Sequence, residues 1–274
     1  MKLKDAYKNA QDYLKKRGID SYLSDARFLI TAYLNCDMSH ILLNPDKEIL
    51  YDDFEKMLKK RAEGMPCAYI TGKTEFMGLA FFVNENVLIP RQDTEVLIES
   101  VLDEIKNENK KILDVCTGSG CIAVSLKHFC EDACVSALDI SPDALKTAQK
   151  NATYNKTDIT FLKCNILNDK PEGKYDVIVS NPPYIETEVI KTLSNDVKGF
   201  EPHLALDGGE DGLLFYRRIS SIARDMLNED GMLFYEIGYN QGNAIRKILT
   251  ENGFRNIEIV KDYSGNDRVV KCNL

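Results

Sequence analysis

The stretch DVCTGSGCIAV, residues 114–124, decides the fold class of this 274-residue chain. It predicts the end of a strand, a turn with two glycines and the start of a helix. Gly118 and Gly120 allow the backbone to turn sharply and to approach a ligand, while the helix N-terminus presents free N–H groups. A G-x-G turn also occurs without a ligand. The alternative to a ligand site is therefore a plain glycine turn, with the aspartate of the next strand, Asp139, as a surface residue.

Strands and helices alternate regularly on both sides of this turn. A helix over residues 94–108 precedes the strand KILDVC, and helices are also predicted in PDALKTAQKNA, LLFYRRISSIARDML and AIRKILTENG. Further strands are predicted in CVSALDI, ITFLKCN, YDVIVSN and GMLFYEIG, with a final pair within FRNIEIVKDYSGNDRVVKC. This alternation indicates a doubly wound α/β sheet, and the final pair indicates an antiparallel edge.

The N-terminal region has a different pattern. Apolar residues recur at helical spacing in residues 3–14, and Ser24 is a candidate N-cap for a second helix. Short aromatic and β-branched runs separated by glycines then follow, as in YITGKTEFMGLAFFV. We therefore expect a helical domain over residues 1–65, a β-hairpin linker over residues 66–90 and the α/β domain over residues 91–274.

Composition and charge exclude several classes of protein. No apolar run is long enough for a membrane span, and the amphipathic N-terminus lacks the apolar core of a signal peptide, so a cytoplasmic location is expected. Eight cysteines without C-x-x-C spacing and three scattered histidines predict free thiols and no metal site. Residues 1–64 contain 12 Lys and Arg against 11 Asp and Glu, whereas the remainder contains 23 against 32. Such an acidic C-terminal portion is a poor surface for DNA.

Polar residues follow each of the next predicted strands. Asp139 follows the second strand, where a carboxylate can accept both hydroxyls of a ribose. Asn165 follows the third strand, where capping of the strand end is as plausible as a contact with a base. A dinucleotide enzyme would have a third glycine after Gly120, which is missing here. Because ligands bind at the carboxyl ends of strands in open α/β sheets, we expect these residues to line one crevice.

The fourth strand leads into VIVSNPPYIE, residues 177–186. Each residue before a proline is restricted to extended geometry, and the prolines have no N–H group, so the strand should end at Asn181. The resulting corner, residues 181–184, is stiff, rich in acceptors and poor in donors. We call it the NPPY corner, and its chemistry suits a planar N–H₂ group that lies against the ring of Tyr184.

These features together resemble class I methyltransferases, which use S-adenosylmethionine and methylate a planar amine or amide nitrogen. Two substrates share the N-P-P-Y signature, the exocyclic amine of adenine and the side-chain amide of glutamine. The segments GMPCAYITGKTEFMGLAFFV, VLIPRQDTE and FEPHLALDGGEDGLLFYRRI are similar to those of the release-factor glutamine N5-methyltransferase family, also called the HemK type. This resemblance covers nearly the whole chain and favours glutamine.

The resemblance implies a Rossmann-like domain of seven strands with a small N-terminal helical bundle that helps to recognise the substrate. It also implies N5-methylation of the glutamine in the Gly-Gly-Gln motif of class-1 peptide-chain release factors, with S-adenosylhomocysteine as product. By motif, the cofactor contacts are Cys116, Thr117, Gly118, Ser119, Gly120, Asp139, Asn165, Ile166 and Asn181, with Arg91 and Thr94 at the border of the crevice. Asn181, Pro182, Pro183 and Tyr184 would bind the substrate, with Asn181, Pro182 and Tyr184 as the catalytic residues.

The chain departs from the family pattern at two positions. Cys116 stands where the family commonly has glycine, and Asn165 stands where aspartate is more usual. Arg91 and Thr94 can also be read as capping residues of the following helix. Because a methylated amide nitrogen loses its extra proton readily, we expect no general base.

Two rival functions remain open. An adenine-N6 methyltransferase would need a basic region to recognise nucleic acid, and this chain has none that stands out. A non-catalytic cofactor-sensing or release-factor-binding protein would be expected to have lost either the glycine loop or the NPPY corner. The expected protein is a monomer that contacts neither DNA nor membrane.

Overall fold

The computed structural model describes residues 1–105 and 109–274. The chain forms two compact units, one of residues 1–73 with 194–200 and the other of residues 74–193 with 201–274. Within the described residues, no helix is both long and apolar enough to cross a membrane. The last three residues of the helix expected over 94–108 lie outside the described residues.

The first unit is built from helices. They are α1 (Leu3–Lys16), α2 (Tyr22–Leu34), α3 (Met38–Leu43), α4 (Tyr51–Ala62) and α5 (Cys67–Thr71). The spacing of apolar residues predicted α1, whose buried face carries Leu3, Ala6, Ala10 and Leu14. The expected cap Ser24 lies inside α2 instead. Its hydroxyl donates to the carbonyl of Ser21 at 2.9 Å within the first turn.

An ion pair lies among the helices of this unit. Nε of Arg61 on α4 is 2.6 Å from Oδ2 of Asp25 on α2, and the two side chains are only 9% and 15% exposed. The guanidinium also donates to the carbonyl of Gly64 at 3.2 Å. Because a nearly buried charge is costly without a partner, this pair ties α4 to α2.

A short hairpin follows α5. Its strands are β1 (Lys73–Phe76) and β2 (Leu79–Phe82), which pair as a two-stranded sheet. Met77 and Gly78 connect them with positive φ angles of 51° and 72°, as a tight two-residue hairpin turn requires. Within the segment expected as a hairpin linker, residues 67–71 are therefore helical and residues 73–82 form the hairpin.

The second unit alternates helices and strands. In chain order they are α6 (Asp93–Ile105), β3 (Lys111–Val115), α7 (Cys121–Phe129), β4 (Cys134–Asp139), α8 (Pro142–Tyr154), β5 (Ile159–Lys163), β6 (Tyr175–Ser180), α9 (Thr187–Ile190), α10 (Asn195–Lys198, in the segment that groups with the first unit), a 3₁₀ helix (His203–Ala205), α11 (Leu214–Met226), β7 (Leu227–Glu236), α12 (Gly242–Glu251), β8 (Arg255–Lys261) and β9 (Asp267–Asn273). The sheet has seven strands in the order β5-β4-β3-β6-β7-β9-β8. The first five strands of this order run parallel, and β9 is antiparallel to both of its neighbours. The predicted α/β fold with an antiparallel edge is confirmed.

The middle of the sheet positions the site. The strands β3 and β6 are neighbours and are buried on both faces, as their apolar runs predict. The chain moves from β3 outward to β4 and β5 and then returns to β6 on the other side of β3. The strand order thus reverses between β3 and β6, which opens a crevice at their carboxyl ends.

Candidate functional site

A cavity of about 250 Å³ lies in the second unit at the carboxyl ends of β3, β4, β5 and β6. All predicted cofactor residues except Gly120 border it: Arg91, Thr94, Cys116, Thr117, Gly118, Ser119, Asp139, Asn165, Ile166 and Asn181. Of the remaining residues of the NPPY corner, Pro183 borders the cavity, whereas Pro182 and Tyr184 do not. The structure therefore brings most of the predicted residues to one place.

The two glycines of the loop after β3 have different roles. Gly118 has a φ of +55°, and a Cβ added there would meet no atom within 4 Å. Gly120 has a φ of +80°, and its added Cβ would lie 2.9 Å from the Cβ of Ala148 on α8. The first glycine thus leaves open space beside the cavity, and the second allows the loop to pack closely against α8.

Cys116 starts this loop in a strained conformation. Its φ is +63°, in the left-handed region that favours glycine. Burial raises the pKa of its thiol well above the ordinary value, so the side chain is a neutral thiol at the wall of the cavity. Cys121 and Cys164 border the same cavity, and within the described residues the cysteines form no disulfide bond.

Asp114 anchors the loop from beneath. It is fully buried, and its Oδ2 accepts a hydrogen bond from the Thr117 hydroxyl at 2.5 Å. Oδ1 has no hydrogen-bond partner within the described residues. Burial raises the pKa of this carboxyl to about 7, against the smaller opposing effect of Thr117.

Asp139 stands at the end of β4, as predicted. Its Oδ2 accepts the N–H of Gly118 and its Oδ1 accepts the N–H of Ser141, each at 2.9 Å. Burial raises its pKa, and these N–H groups oppose the rise. Because each carboxylate oxygen can accept two hydrogen bonds, both oxygens keep capacity for hydroxyl groups in the cavity.

Asn165 does cap its strand end, and it also borders the cavity. Its Oδ1 accepts the N–H of Leu167 at 3.2 Å, so the side chain stabilises the turn after β5. The neighbouring Ile166 is buried at the cavity wall and supplies an apolar surface. The two alternatives for Asn165 are therefore compatible.

Arg91 and Thr94 border the cavity from the start of α6. Arg91 forms a short ion pair with Glu201, whose side chain is buried. Thr94 is buried, and its Oγ1 accepts a hydrogen bond from Nδ2 of Asn181 at 3.3 Å. Both side chains thus make contacts beyond a helix cap.

The NPPY corner begins immediately after β6, which ends at Ser180. Because Nδ2 is bonded to Thr94, Oδ1 is the end of the Asn181 amide that can accept a hydrogen bond. The Tyr184 hydroxyl donates to Oε1 of Glu236 at 3.4 Å, and the Tyr184 carbonyl accepts from Nε2 of Gln241 at 3.0 Å. Both ends of Tyr184 are therefore held by groups at or after the end of β7.

The segment LDGGEDG, residues 206–212, lies along the corner. The N–H of Ile185 donates to the carbonyl of Leu206 at 3.0 Å, and the N–H of Gly208 donates back to Ile185 at 2.8 Å. A Cβ at Gly208 would lie 2.7 Å from the Cα of Tyr184, and one at Gly212 would lie 2.4 Å from the Tyr184 carbonyl oxygen. Only glycine allows the two backbones to approach so closely, so the corner of this chain requires glycine at both positions.

Two polar residues at the site were not predicted from the sequence. Asn151 on α8 is fully buried, donating to the carbonyls of Ser119 and Phe82 and accepting the N–H of Phe82. It thereby joins the glycine loop to the hairpin. Glu236, at the end of β7, is buried behind the corner. In the sequence FYEIG, the only sign of Glu236 is a polar residue within an apolar run. This pattern does not reveal which groups the Glu236 carboxyl contacts.

Comparison with known proteins agrees with this geometry. The family model described as the methyltransferase small domain matches residues 91–208, and the PrmC N-terminal domain matches residues 5–72. A release factor glutamine methyltransferase from Clostridium acetobutylicum is 43% identical over 281 residues, which cover 98% of each chain.

Two solved structures share the fold. A methyltransferase from Pyrococcus furiosus has a TM-score of 0.55 and 19% identity, over 72% of this chain and 90% of that chain. A ribosomal RNA methyltransferase from Thermus thermophilus, solved in complex with AdoMet and guanosine, has a TM-score of 0.52 and 16% identity, over 73% and 49%. The likeness to the Clostridium sequence is much closer and spans both units. The chain therefore belongs to the release factor glutamine methyltransferase family.

Proposed function

We propose that this protein transfers a methyl group from S-adenosylmethionine to the side-chain amide nitrogen, N5, of the glutamine in the Gly-Gly-Gln motif of class-1 peptide-chain release factors. One observation carries this proposal. Thr94 holds the N–H₂ end of Asn181, a residue that borders the cavity. Oδ1 of Asn181 is therefore available as an acceptor. Together with two prolines that lack N–H groups, this oxygen suits a substrate that presents an N–H₂ group.

The cavity has the features that S-adenosylmethionine needs. The open space beside Gly118 admits the methionine portion, and Asp139 retains acceptors for the ribose hydroxyls. Ile166 offers an apolar face for the adenine, with the Asn165 amide beside it. Bound there, the cofactor supplies a methyl group on a positively charged sulfur and leaves as S-adenosylhomocysteine.

The residues of this chain orient a weak nucleophile. In the transfer, the nitrogen electron pair forms the new N–CH₃ bond, the electrons of the S–CH₃ bond stay on sulfur, and the nitrogen releases one proton to water. Positive charge develops on the nitrogen, so an acceptor at its N–H group stabilises the transition state more than the ground state. Asn181 is the main group for this role. Pro182 and Pro183 keep the corner rigid, and the ring of Tyr184 is the surface against which the planar N–H₂ group would lie.

The remaining proposals concern the whole protein. The helical domain, residues 1–65, would help to recognise the release factor, with residues 66–90 as linker and residues 91–274 as the methyltransferase domain. An acidic catalytic portion supports a protein substrate over DNA. We further propose a cytoplasmic monomer.

Labelled S-adenosylmethionine tests the reaction directly. The protein is incubated with purified release factor in one reaction and with duplex DNA in another, and the methylated position is mapped by mass spectrometry. We expect label on the glutamine of Gly-Gly-Gln and none on DNA. Label on adenine, or no transfer to the release factor, would contradict the proposal.

Asn181→Ala separates orientation from cofactor binding. Loss of one aligned polar contact in an active site costs about 100- to 1000-fold in turnover, and we expect a loss of this order on release factor. Cofactor affinity, measured by calorimetry, should fall far less. Asn168→Ala, at an exposed position after β5, is the control and should match the wild type. Near-normal turnover by Asn181→Ala with normal cofactor affinity would show that the orienting group lies elsewhere.

A further inference from the structure

A buried carboxyl lies directly behind the NPPY corner. Glu236 is the last residue of β7, whose Tyr235 pairs with Ser180, so Glu236 and Asn181 follow neighbouring positions on adjacent parallel strands. The Glu236 side chain is only 2% exposed. Glutamate is rarely enclosed to this extent without a partner that neutralises its charge.

The contacts of this carboxyl are incomplete. Oε1 receives the long hydrogen bond from Tyr184 at 3.4 Å. Oε2 is enclosed and has no hydrogen-bond partner within residues 1–105 and 109–274. The Thr94 hydroxyl lies nearby and favours the charged form of the carboxyl. A buried acceptor without a donor needs an explanation, because leaving it unpaired is costly.

Thr94 connects this carboxyl to Asn181. Its Oγ1 already accepts a hydrogen bond from the Asn181 Nδ2. A hydroxyl that accepts a bond has one proton left to donate, and the Glu236 carboxyl, whose pKa this hydroxyl lowers, is an acceptor for it. The order is then Glu236 carboxylate, Thr94 hydroxyl and the amide of Asn181, a residue that borders the cavity.

We infer that Glu236 is a positioning residue which, as a carboxylate, orients the Thr94 hydroxyl and through it presents Oδ1 of Asn181 to the N–H₂ group that is methylated. This inference rests on the proposed function. The charge also polarises the row of hydrogen bonds and favours the positive charge that develops on the nitrogen during transfer. When Glu236 is protonated it carries its own hydrogen, so the Thr94 proton is no longer held and the Asn181 amide loses its fixed orientation.

Several ionisable groups face Glu236. Burial raises its pKa to about 7, opposed by Thr94, Arg268 and Tyr184 and reinforced by Asp93. Nη2 of Arg268 on β9 lies 3.1 Å from a carboxylate oxygen of Asp93 and from one of Asp262. The positive charge of Arg268 is therefore shared with these two carboxylates as well as with Glu236. Burial keeps the other neighbours neutral: the pKa of Cys121 is about 12, and those of Tyr184 and Tyr216 lie above the ordinary tyrosine value. Among these groups Glu236 has a pKa near neutral pH, and Asp114, which also faces Cys121, is a second buried carboxyl with a pKa of about 7.

Single-turnover methylation of release factor tests the inference across a pH range centred near 7. The variants are Glu236→Gln, which cannot ionise, Thr94→Val, which removes the hydroxyl, and Thr94→Ser, which restores it. Glu251→Gln is the matched control, since that exposed carboxyl lies at the end of α12. Cofactor affinity is measured for each variant by calorimetry at each pH, so loss of folding is detected independently of turnover.

For the wild type and Glu251→Gln we expect the rate to rise with pH, with a midpoint near the pKa of about 7. Glu236→Gln and Thr94→Val should be slower by about 10- to 100-fold at high pH and should lose the rise, with the cofactor affinity of Glu236→Gln unchanged. Thr94→Ser should recover both the rate and the rise.

Other results would overturn the inference. A wild-type pH profile in Glu236→Gln would show that this carboxyl does not orient Asn181. Loss of cofactor affinity in both Glu236→Gln and Thr94→Val would show a structural role only. Failure of the proposed function is distinguishable, because the wild type itself would then transfer no methyl group to release factor.

Discussion

Two buried carboxyls lie on either side of the crevice, and burial gives each of them a pKa of about 7. Asp114 lies beneath the glycine loop and does not border the cavity. Glu236 lies behind the NPPY corner and does not border the cavity either, but it faces Thr94, which borders the cavity and holds Asn181. We therefore expect the same physical cause, loss of hydration, to have different consequences, a conformational one for Asp114 and the positioning of Asn181 for Glu236.

The pH dependence of stability tests the state of Asp114. Its pKa is raised from 3.8 to about 7, so the folded chain holds the proton more tightly than the unfolded chain. The contribution of this group to stability is complete below pH 4 and is lost as pH rises through about 7. Asp114→Asn cannot ionise. From pH 5 to pH 7, the free energy of unfolding of the wild type should therefore fall relative to this variant by roughly 1 kcal/mol per pH unit.

Urea unfolding at several pH values measures this difference. Asp132→Asn, at an exposed position after α7, is the control and should keep the wild-type slope. If the curves for Asp114→Asn and the wild type ran parallel across this range, Asp114 would be ionised throughout in the folded protein.

At the residue scale, the sequence predicted the cavity wall better than what lies behind it. Strand ends are visible in the local pattern, so the sequence alone places Asp139, Asn165 and Asn181 at one edge of the sheet. The partners of Asn151 and Glu236 are distant in the chain, such as Phe82 for Asn151 and Thr94 for Glu236. Periodicity contains no information on such pairs, and neither residue was predicted.

At the element scale, the loop of residues 206–212 sets the position of the NPPY corner. The sequence marks this loop only by its glycines. The backbone distances give the reason for them, since Gly208 and Gly212 both meet Tyr184 or its neighbour Pro183. The order of the last three strands, β7-β9-β8, was likewise not predicted. Local patterns indicate that strands exist, but the pairing depends on contacts across the sheet.

Gly212→Ala tests this support for the corner. The added Cβ would lie 2.4 Å from the Tyr184 carbonyl oxygen, so the two backbones must move apart. We expect turnover on release factor to fall by about tenfold or more, because a small displacement of an orienting group is costly. Cofactor affinity should be unchanged, since neither Gly212 nor Tyr184 borders the cavity.

Gly265→Ala is the matched control for this change. Gly265 has a φ of +85°, close to the +70° of Gly212, but its added Cβ would meet nothing within 4 Å. Both variants therefore carry a similar backbone strain of about 1 to 2 kcal/mol, and only Gly212→Ala displaces the corner. Equal turnover by the two variants would contradict a supporting role for the loop.

At the scale of the whole molecule, the Gly-Gly-Gln tip of the proposed substrate is a small target. Two of its three residues have no side chain, so the contact area available to the NPPY corner is far below that of a stable protein interface. Recognition of a release factor must then come from additional surface. The helical first unit, which matches the PrmC N-terminal domain, is the part of this chain with no other assigned role.

Comparing intact release factor with a short Gly-Gly-Gln peptide tests that assignment. With the full-length protein, kcat/KM should be at least about 100-fold higher for the intact factor, because only the factor reaches the additional surface. Deleting residues 1–64 should lower kcat/KM for the factor towards that for the peptide, while kcat/KM for the peptide and cofactor affinity stay constant. Circular dichroism and cofactor binding establish that the remaining chain is folded. If the shortened chain kept the full preference for intact factor, the recognition surface would lie in the methyltransferase domain itself.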